Sequence, residues 1–472
     1  MSQFLEDLGS LIPELLKKEE TLLILFILGL GGFASFSFFQ FSLGPADIFG
    51  VIWRFIAATW WFWLFFPLIK LFNELLLFWR QEEYKAELNF VVLEIKIPRE
   101  IQKSPKSMEQ IFQIIHSLRN AATNVKAEYF EGETTSTFAF EMASIGGESH
   151  FYVRCVKKYA NIIEGAFFSY YPDVELFEAP DYTTRLPQTP EEMYRAGMKL
   201  WGIELVLSKD SMFPIKTYPN FELGGEEGRM DPLSAFLEVF GKMKPQEFFG
   251  VQILASPVSS SWADDYKEDL EEFREKTAGT KTSGGGEEGL SPVMTFTPQP
   301  QRMEVLKAIE SNISKPAFEV VIRLMYMAPE DIFTDKYIRR AIITAFNQYS
   351  AMNLNGFRQN FGMGTRTEIW YSPYIYPERR GEFRRQRILY NYLKREMPQE
   401  TWIAKFITSH IYNWNFHSES FYLNVEGLAT IFHLPAATVL TSPHFQRIES
   451  RKASPSAGLP IFGADEDIEK FY

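Results

Sequence analysis

The densest group of residues that could take part in chemistry is a basic, aromatic-rich segment from Arg358 to Arg395. It holds nine Lys or Arg residues and three Glu residues, a charge of +6, so the rest of a chain with a net charge of −12 carries −18. Arginines interleaved with aromatic rings are suited to stacking on exposed bases and to hot spots for protein partners. The candidate binding residues are Arg379, Arg380, Arg384, Arg385, Arg387, Lys394 and Arg395.

Three kinds of target remain open for this segment. It could bind a partner protein, it could bind nucleic acid or anionic lipid, or it could pair with the protein's own acids, such as those between Asp264 and Glu275. Pairing with the protein's own acids is the simplest alternative, because the solvated face of a helix commonly carries arginines that pair with nearby acidic residues. The acidic balance of the whole chain argues against a surface that binds nucleic acid everywhere, but it allows one local basic patch.

Motifs for catalysis are missing from the sequence. No phosphate-binding loop of the form GxxxxGK[ST] occurs, the six histidines form no HExxH motif or i,i+4 pair, and no serine occupies a GxSxG turn. The single cysteine, Cys155, excludes an intrachain disulfide, and its place in a predicted strand is typical of a small buried apolar residue. We therefore predict no catalytic, metal-binding or cofactor-binding residue and expect that the protein is not an enzyme.

Two long apolar runs near the N-terminus predict a transmembrane helical hairpin over residues 21–80, after an amphipathic segment over residues 1–20. Thr21–Leu43 carries no charge and is long enough to cross about 30 Å of hydrocarbon as a helix. Ile48–Ile69 has one charge, Arg54, near its start, where the side chain could reach the interface. The two runs would cross the bilayer in opposite directions.

Basic residues flank the hairpin on one side and predict its orientation. Lys17 and Lys18 precede the first run, and Lys70, Arg80 and Lys85 follow the second, so both termini and the main body should lie in the cytoplasm. We expect a multi-pass protein of the inner (cytoplasmic) membrane. Its predicted membrane anchors are Arg54, Trp60, Trp61 and Trp63.

The sequence after the hairpin predicts an α+β body with two α/β units. Residues 86–182 show the order βαββαβ, with strands of period two and amphipathic helices, which predicts a ferredoxin-like domain. Residues 200–350 predict a second unit, with strands over 203–207, 248–255 and 318–327 and a mobile Gly/Ser/Thr-rich insertion over 277–301. An aromatic and Arg-rich region follows over 351–450, and 451–472 should be an irregular tail.

Six stretches of the sequence carry a resemblance to a known group of proteins. They are EIKIPREIQKSPKSMEQIF, GGESHFYVR, YYPDVELFEAPDY, WGIELVLSKDSMFPIKTYPNFE, DPLSAFLEVFGKMKPQEFFGVQIL and LATIFHLPAATVLTSPHFQRIESRKASPSAGLP. Between Glu94 and Pro460 the chain resembles the membrane-anchored N-terminal, non-ATPase region of type IV secretion and conjugation-type ATPases of candidate-phyla (Patescibacteria-like) bacteria. In that group the tail leads into an ATPase domain with its Walker motifs. None of that domain's residues has a counterpart here.

The resemblance implies a role in anchoring and assembly. We expect a non-enzymatic, membrane-anchored scaffold of a type IV secretion or conjugation-like machine for DNA or protein transfer, which docks a separate P-loop ATPase. The alternative function is a nucleic-acid-contacting accessory protein of a transfer channel. The expected partners are the lipid bilayer and a separate ATPase or secretion-channel component, with nucleic acid and a second copy of the chain (a homo-oligomer) as further candidates. No cofactor is expected.

Overall fold

The fold is taken from a computed structural model, which describes most of the chain between Thr59 and Pro435. The described ranges are 59–97, 103–122, 124–221, 231–278, 300–365, 376–399, 401–408 and 417–435. Within them the chain forms an α+β structure around one antiparallel sheet of nine strands.

The first half of the sheet is a ferredoxin-like unit preceded by a long helix, α1 (Trp60–Glu87). The unit contains β1 (Phe90–Lys96), α2 (Lys106–Ser117), α3 (Val125–Tyr129), β2 (Phe138–Ile145), β3 (Glu148–Val156), α4 (Ala160–Tyr170) and β4 (Glu175–Ala179). In space the strands take the order β4-β1-β3-β2, and each neighbouring pair is antiparallel. This is the split βαβ arrangement. Helix α2 lies in the connection from β1 to β2, and β3 lies between these strands in the sheet. Helix α4 lies in the connection from β3 to β4, and β1 lies between these strands.

The second half of the sheet repeats this topology. After α5 (Pro190–Arg195) come β5 (Met198–Leu207), α6 (Ser234–Gly241), β6 (Phe248–Pro257), α7 (Lys267–Ala278), α8 (Pro300–Ile313), β7 (Ala317–Pro329), α9 (Asp335–Asn347) and β8 (Phe357–Asn360). The strand order β6-β7-β5-β8 is the same split βαβ order in reverse. Where the first unit has a tight hairpin between its second and third strands, this unit inserts α7 and α8.

The two units are joined into one sheet through their equivalent second strands. β2 pairs with β6 in antiparallel register over eight residue pairs, from Phe138 opposite Ala255 to Ile145 opposite Phe248. The chain then adds α10 (Pro377–Lys394), α11 (Trp402–Ile407), β9 (Phe421–Asn424) and α12 (Val425–Ile431), and β9 pairs with β7. Each unit alone would expose its second strand as a sheet edge. Pairing of β2 with β6 covers both edges and makes the sheet continuous.

The two faces of the sheet are covered differently. On one face, helices α2, α4, α6, α9 and α12 bury a single large apolar core, in which Phe112 packs edge-to-face on Phe140 with ring centroids 4.8 Å apart. On the other face, α10 buries Ile388, Leu389 and Tyr392 against a smaller apolar cluster. Helix α10, which belongs to the basic segment singled out from the sequence, therefore covers part of the second face.

The predicted transmembrane hairpin is wrong for the residues that the structure describes. In the ranges given above, no helix has both the length and the apolar character needed to cross a bilayer. The apolar part of α1 runs from Trp60 to Ile69 and ends at Lys70, which is about 15 Å of helix against about 30 Å of hydrocarbon. The prediction of a multi-pass membrane protein is therefore corrected.

Several predictions fall on residues outside the described ranges. These are the N-terminal segment 1–20, the first apolar run Thr21–Leu43, the start of the second run through Ala58, most of the insertion 277–301 and the tail 451–472. The α+β class of the body agrees with the observed antiparallel sheet.

Candidate functional site

A row of polar residues crosses the second face of the sheet at right angles to the strands. The strand registers place one polar residue of each strand directly opposite the next, so that a line of such residues runs through seven strands. We call this line the polar row; it consists of Glu94, Tyr152, Glu141, Gln252, Arg323, Glu204 and Asn360. All seven residues are buried. Buried polar groups must find partners or they destabilise the fold.

Arg395, directly after the last residue of α10, supplies the partner for the centre of the polar row. Its Nε donates to Oε1 of Glu141 at 2.8 Å and its Nη2 donates to Oε2 at 2.9 Å. Nη1 also donates to Asp181 at 2.7 Å. The backbone of Arg395 lies in the left-handed region with φ of 55°, so the chain turns sharply where the guanidinium group enters the sheet face.

A second buried arginine links the row to the C-terminal region. Arg323 donates from Nε to Glu204 at 2.8 Å and from Nη1 to the carbonyl oxygen of Asn391 at 3.0 Å. The other oxygen of Glu204 accepts from Ser418 Oγ at 2.7 Å. Gln252 lies between the two arginines and donates to Glu141 and to the carbonyl oxygen of Tyr392. The row and α10 therefore form one hydrogen-bonded network.

The pKa shifts in this network follow from burial and pairing. Burial opposes ionisation of Asp181, but its hydrogen bond and charge interaction with Arg395 outweigh burial and hold the pKa of Asp181 below its ordinary value. For Arg395 burial favours the neutral form, yet Glu141 raises the pKa well above its ordinary value. Burial raises the pKa of Tyr392, whose hydroxyl lies 2.7 Å from that of Tyr182. The network therefore combines buried ion pairs, Arg395–Glu141 and Arg323–Glu204, with neutral tyrosine hydroxyl groups.

The close approach of α10 to the sheet depends on a residue without a side chain. A Cβ atom at Gly250 of β6 would lie 1.9 Å from the hydroxyl oxygen of Tyr392. A larger residue at this position would force the ring of Tyr392, or α10 itself, to move.

The predicted binding residues mostly contact groups of the same protein. Arg384 donates to the carbonyl oxygens of Phe361 and Gly364, Arg387 donates to that of Thr408, and Arg385 pairs with Glu382 at 3.0 Å. Burial lowers the pKa of Arg384 and Arg387. Arg380 is buried, whereas Arg379, which lies over the ring of Tyr376, and Lys394 are exposed.

The acids that pair with this segment differ from those named as candidates in the sequence. The partners of Arg395 and Arg385 are Glu141, Asp181 and Glu382. Within the acidic helix α7, Glu271 instead pairs with Arg274, which also pairs with Glu310 of α8.

The predicted membrane anchors lie in or before α1. Arg54 lies outside the described residues, Trp60 begins α1 with an exposed side chain, and Trp61 and Trp63 belong to the same helix. Sequence reasoning missed the polar row. Its signal was present in four strands as a polar residue inside an apolar run: Glu141 in FAFEMAS, Glu204 in WGIELVL, Gln252 in FFGVQILA and Arg323 in VVIRLMYM.

Metal or nucleophile chemistry finds no support in the described ranges. They contain no group of three or more His, Cys, Asp or Glu residues that could hold a metal ion. Burial raises the pKa of Cys155 to about 12, so its thiol is neutral in the fold.

Helix α1 exposes many apolar side chains, and five of them form a regular row. Phe65, Leu68, Phe72, Leu75 and Trp79 are each between 37% and 62% exposed. Their spacing of three, four, three and four residues places them along one side of the helix. We call these five residues the apolar row.

The opposite side of α1 borders a cavity of about 560 Å³, which we call the α1 cavity. Its other walls are the loop from Arg119 to Thr137, the end of β6 and the segment after Arg395. The volume lies within the range of ligand pockets, roughly 300–1,000 Å³.

These features define a class of protein: an α+β protein made of two ferredoxin-like units that share one antiparallel sheet, with a basic helix sealing the second face. The chain belongs to the family described as Domain of unknown function (DUF8128), whose sequence profile matches residues 81–447. The match begins in α1 and covers both units, α10 and α12. None of the curated proteins matches the chain.

Proposed function

We propose that the protein is a non-enzymatic scaffold subunit that docks a separate P-loop ATPase through the apolar row of α1. The proposal keeps the assembly role implied by the sequence resemblance and leaves out the membrane anchor. The apolar row is the observation that carries it.

The spacing of the apolar row suits a helix of a partner protein. Apolar residues that repeat at three and four residues form the seam along which two helices pack side by side. From Phe65 to Trp79 the seam spans about 21 Å of helix. Exposed apolar patches on this scale commonly mark interaction surfaces. An α-helix with apolar residues at the same spacing is therefore the expected docking element.

The identity of the partner rests on the sequence resemblance. Conjugation-type ATPases carry a region like this one in front of their motor domain, and this sequence has no phosphate-binding loop of its own. A P-loop ATPase is therefore the partner that the resemblance implies. The nucleic-acid alternative draws no support from α10, because Arg384, Arg385 and Arg387 contact groups of the same protein.

Co-purification with a P-loop ATPase encoded in a neighbouring reading frame tests the proposal. The double variant Phe72→Glu/Leu75→Glu places two charges in the centre of the apolar row and should weaken the complex by at least about tenfold. The complex would be measured by size-exclusion chromatography and by the concentration dependence of ATPase recruitment.

The matched control is Met352→Glu, because Met352 is fully exposed in the connection between α9 and β8. It should leave the complex unchanged. Equal recruitment by the double variant and the parent, or no association of the ATPase with the parent, would remove the proposed function.

A further inference from the structure

The sheet has an open edge at β4. In the strand order of the sheet β4 is the last strand on one side, and within the described ranges it pairs only with β1. An edge strand presents a row of unpaired backbone groups to its surroundings. The strand register shows which groups of β4 these are.

The hydrogen bonds of β1 alternate between its two neighbours. The amide of Lys157 donates to the carbonyl oxygen of Asn89 at 2.8 Å, so this pair, which continues the register between β1 and β3, is a hydrogen-bonded one. The odd-numbered residues of β1 therefore bond to β3, and its even-numbered residues bond to β4, where they lie opposite odd-numbered residues such as Phe177. The amide and carbonyl groups of Leu176 and Glu178 consequently point outward, past the edge of the sheet.

Four backbone groups are open at this edge. Within the part of the chain that the structure describes, no hydrogen bond involves the N–H or C=O group of Leu176 or Glu178. The side chains of Phe177 and Glu178 are exposed, that of Phe177 to 41%. The edge is therefore accessible to an extended chain, which could bond to the four groups as a further strand.

The residues at this edge carry a charge of −3. Asp173, Glu175 and Glu178 are exposed, and no Lys or Arg occurs in this stretch of the sequence. Within the described ranges none of the three acids forms an ion pair. Lys96 of β1, which lies opposite Glu175, pairs instead with Glu94 at 2.9 Å. The charge of the edge is therefore not neutralised by its neighbours.

This charge decides which kind of strand fits the edge. Pairing of the β4 edges of two copies of the chain would bring two stretches of charge −3 together, and charged edge strands hinder such self-pairing. A strand with Lys or Arg side chains meets opposite charges instead, because side chains directly across a strand pair lie about 5 Å apart. The exposed ring of Phe177 offers this strand an apolar contact.

We propose that β4 is a docking edge for an extended, basic strand of a partner protein. The strand pairs with the N–H and C=O groups of Leu176 and Glu178 and continues the sheet beyond β4. Its Lys or Arg side chains lie opposite Glu175 and Glu178. No residue of the apolar row takes part, so the inference goes beyond the proposed function and does not depend on it.

Fluorescence polarisation with labelled peptides tests the inference on the full chain. The probe is a fluorescein-labelled octapeptide in which Lys alternates with Val. A second version carries N-methyl groups on its central amides, which blocks strand pairing along both of its edges, and a third version replaces each Lys with Glu. The parent protein should bind the first peptide in a salt-dependent manner and should bind the other two at least about tenfold more weakly.

Substitutions of Glu178 separate the open backbone from the charge. Glu178→Pro removes an N–H group that points outward and that β1 does not use, so the sheet keeps its own bonds, while peptide binding should fall at least about tenfold. Glu178→Gln keeps the N–H group and removes only the charge, so it should weaken binding by about threefold. The control Glu191→Gln removes an exposed charge on α5 and should bind like the parent. Circular dichroism and thermal unfolding show whether each variant is folded.

Four results would overturn the inference. They are no binding of the basic peptide to the parent at up to about a millimolar, equal binding of the N-methylated or the acidic peptide, equal binding by folded Glu178→Pro, and a parent dimer in sedimentation that Glu178→Pro converts to a monomer. The last result would mean that a second copy of the chain occupies the edge. If Glu178→Pro does not fold, the comparison of the three peptides on the parent decides the question.

Discussion

Arg395 and Glu141 lie 254 residues apart in the sequence and form a two-armed ion pair in the buried centre of the sheet face. Both side chains are nearly inaccessible, with 2% and 0% exposure. The pair joins the end of α10 to the strand through which the two ferredoxin-like units meet. It therefore connects three parts of the fold at one point.

Removal of Arg395 should destabilise the protein strongly. Arg395→Ala leaves Glu141 as a buried carboxylate without its partner, and we expect a loss of about 3–5 kcal/mol in the free energy of unfolding. Urea denaturation measures this loss in the free energy of unfolding. Lys394→Ala is the matched control, because Lys394 is the exposed neighbour and should change stability by less than about 0.5 kcal/mol.

The double variant Glu141→Gln/Arg395→Met separates pairing from packing. It removes both charges, so it should recover a large part of the stability lost in Arg395→Ala. If Arg395→Ala and Lys394→Ala have the same free energy of unfolding, the ion pair does not hold α10 on the sheet.

Substitution of Gly132 should loosen α1 from the body. Gly132→Ala introduces a Cβ atom at a position with positive φ and a contact of 2.2 Å to the backbone of Arg80, so we expect a cost of about 1–3 kcal/mol. Hydrogen exchange in α1 should become faster. Gly165→Ala in α4 is the control, because no atom lies within 4 Å of the added methyl group, and it should stabilise the helix by roughly 0.5–1 kcal/mol. Unchanged exchange in α1 would show that Gly132 does not fix the helix.

The stability of the protein should fall in acid partly through Asp181. Its pKa is lowered in the folded state, chiefly because the hydrogen bond from Arg395 outweighs burial. The unfolded chain therefore binds a proton first, near the ordinary pKa of about 3.9. The contribution of Asp181 is complete above that pH and is lost as the pH falls through the lower, folded pKa.

Urea unfolding between about pH 6 and pH 3 tests this linkage. Asp181→Asn should flatten the decline of stability below about pH 4. Asp173→Asn, at an exposed position, should keep the parental slope. The same slope in Asp181→Asn and the parent would mean that the Arg395 pair does not shift the titration of this carboxyl group.

Local patterns in the sequence predicted many of the elements but not their assembly. The strands expected over 248–255 and 318–327 are observed at Phe248–Pro257 and Ala317–Pro329, because period-two and continuous apolar runs report directly on burial within a strand. The basic segment singled out between Arg358 and Arg395 contains the helix α10, Pro377–Lys394. The transmembrane prediction was wrong in the described part. The apolar residues up to Ile69 belong to a longer helix, α1, which continues with charged residues from Lys70 to Glu87.

The candidate site was predictable only in part. Composition alone singled out Arg395 and its neighbours, because nine basic residues in one segment stand out in an acidic chain. The partners of Arg395, Glu141 and Asp181, could not be predicted from local sequence patterns. They lie 254 and 214 residues away from Arg395 in the sequence, and local patterns report only on neighbours.

The sequence by itself determined the α+β class of the body, the two successive α/β units, the lack of a phosphate-binding loop and the basic character of α10. Each of these depends on composition or on neighbours within a few residues. The tertiary structure alone decided that β2 and β6 join the units into one sheet, that single polar residues of seven strands align in a row, and that Arg395, directly after α10, pairs with that row. Strand register and helix docking depend on contacts between distant segments, and such contacts exist only once the chain has folded.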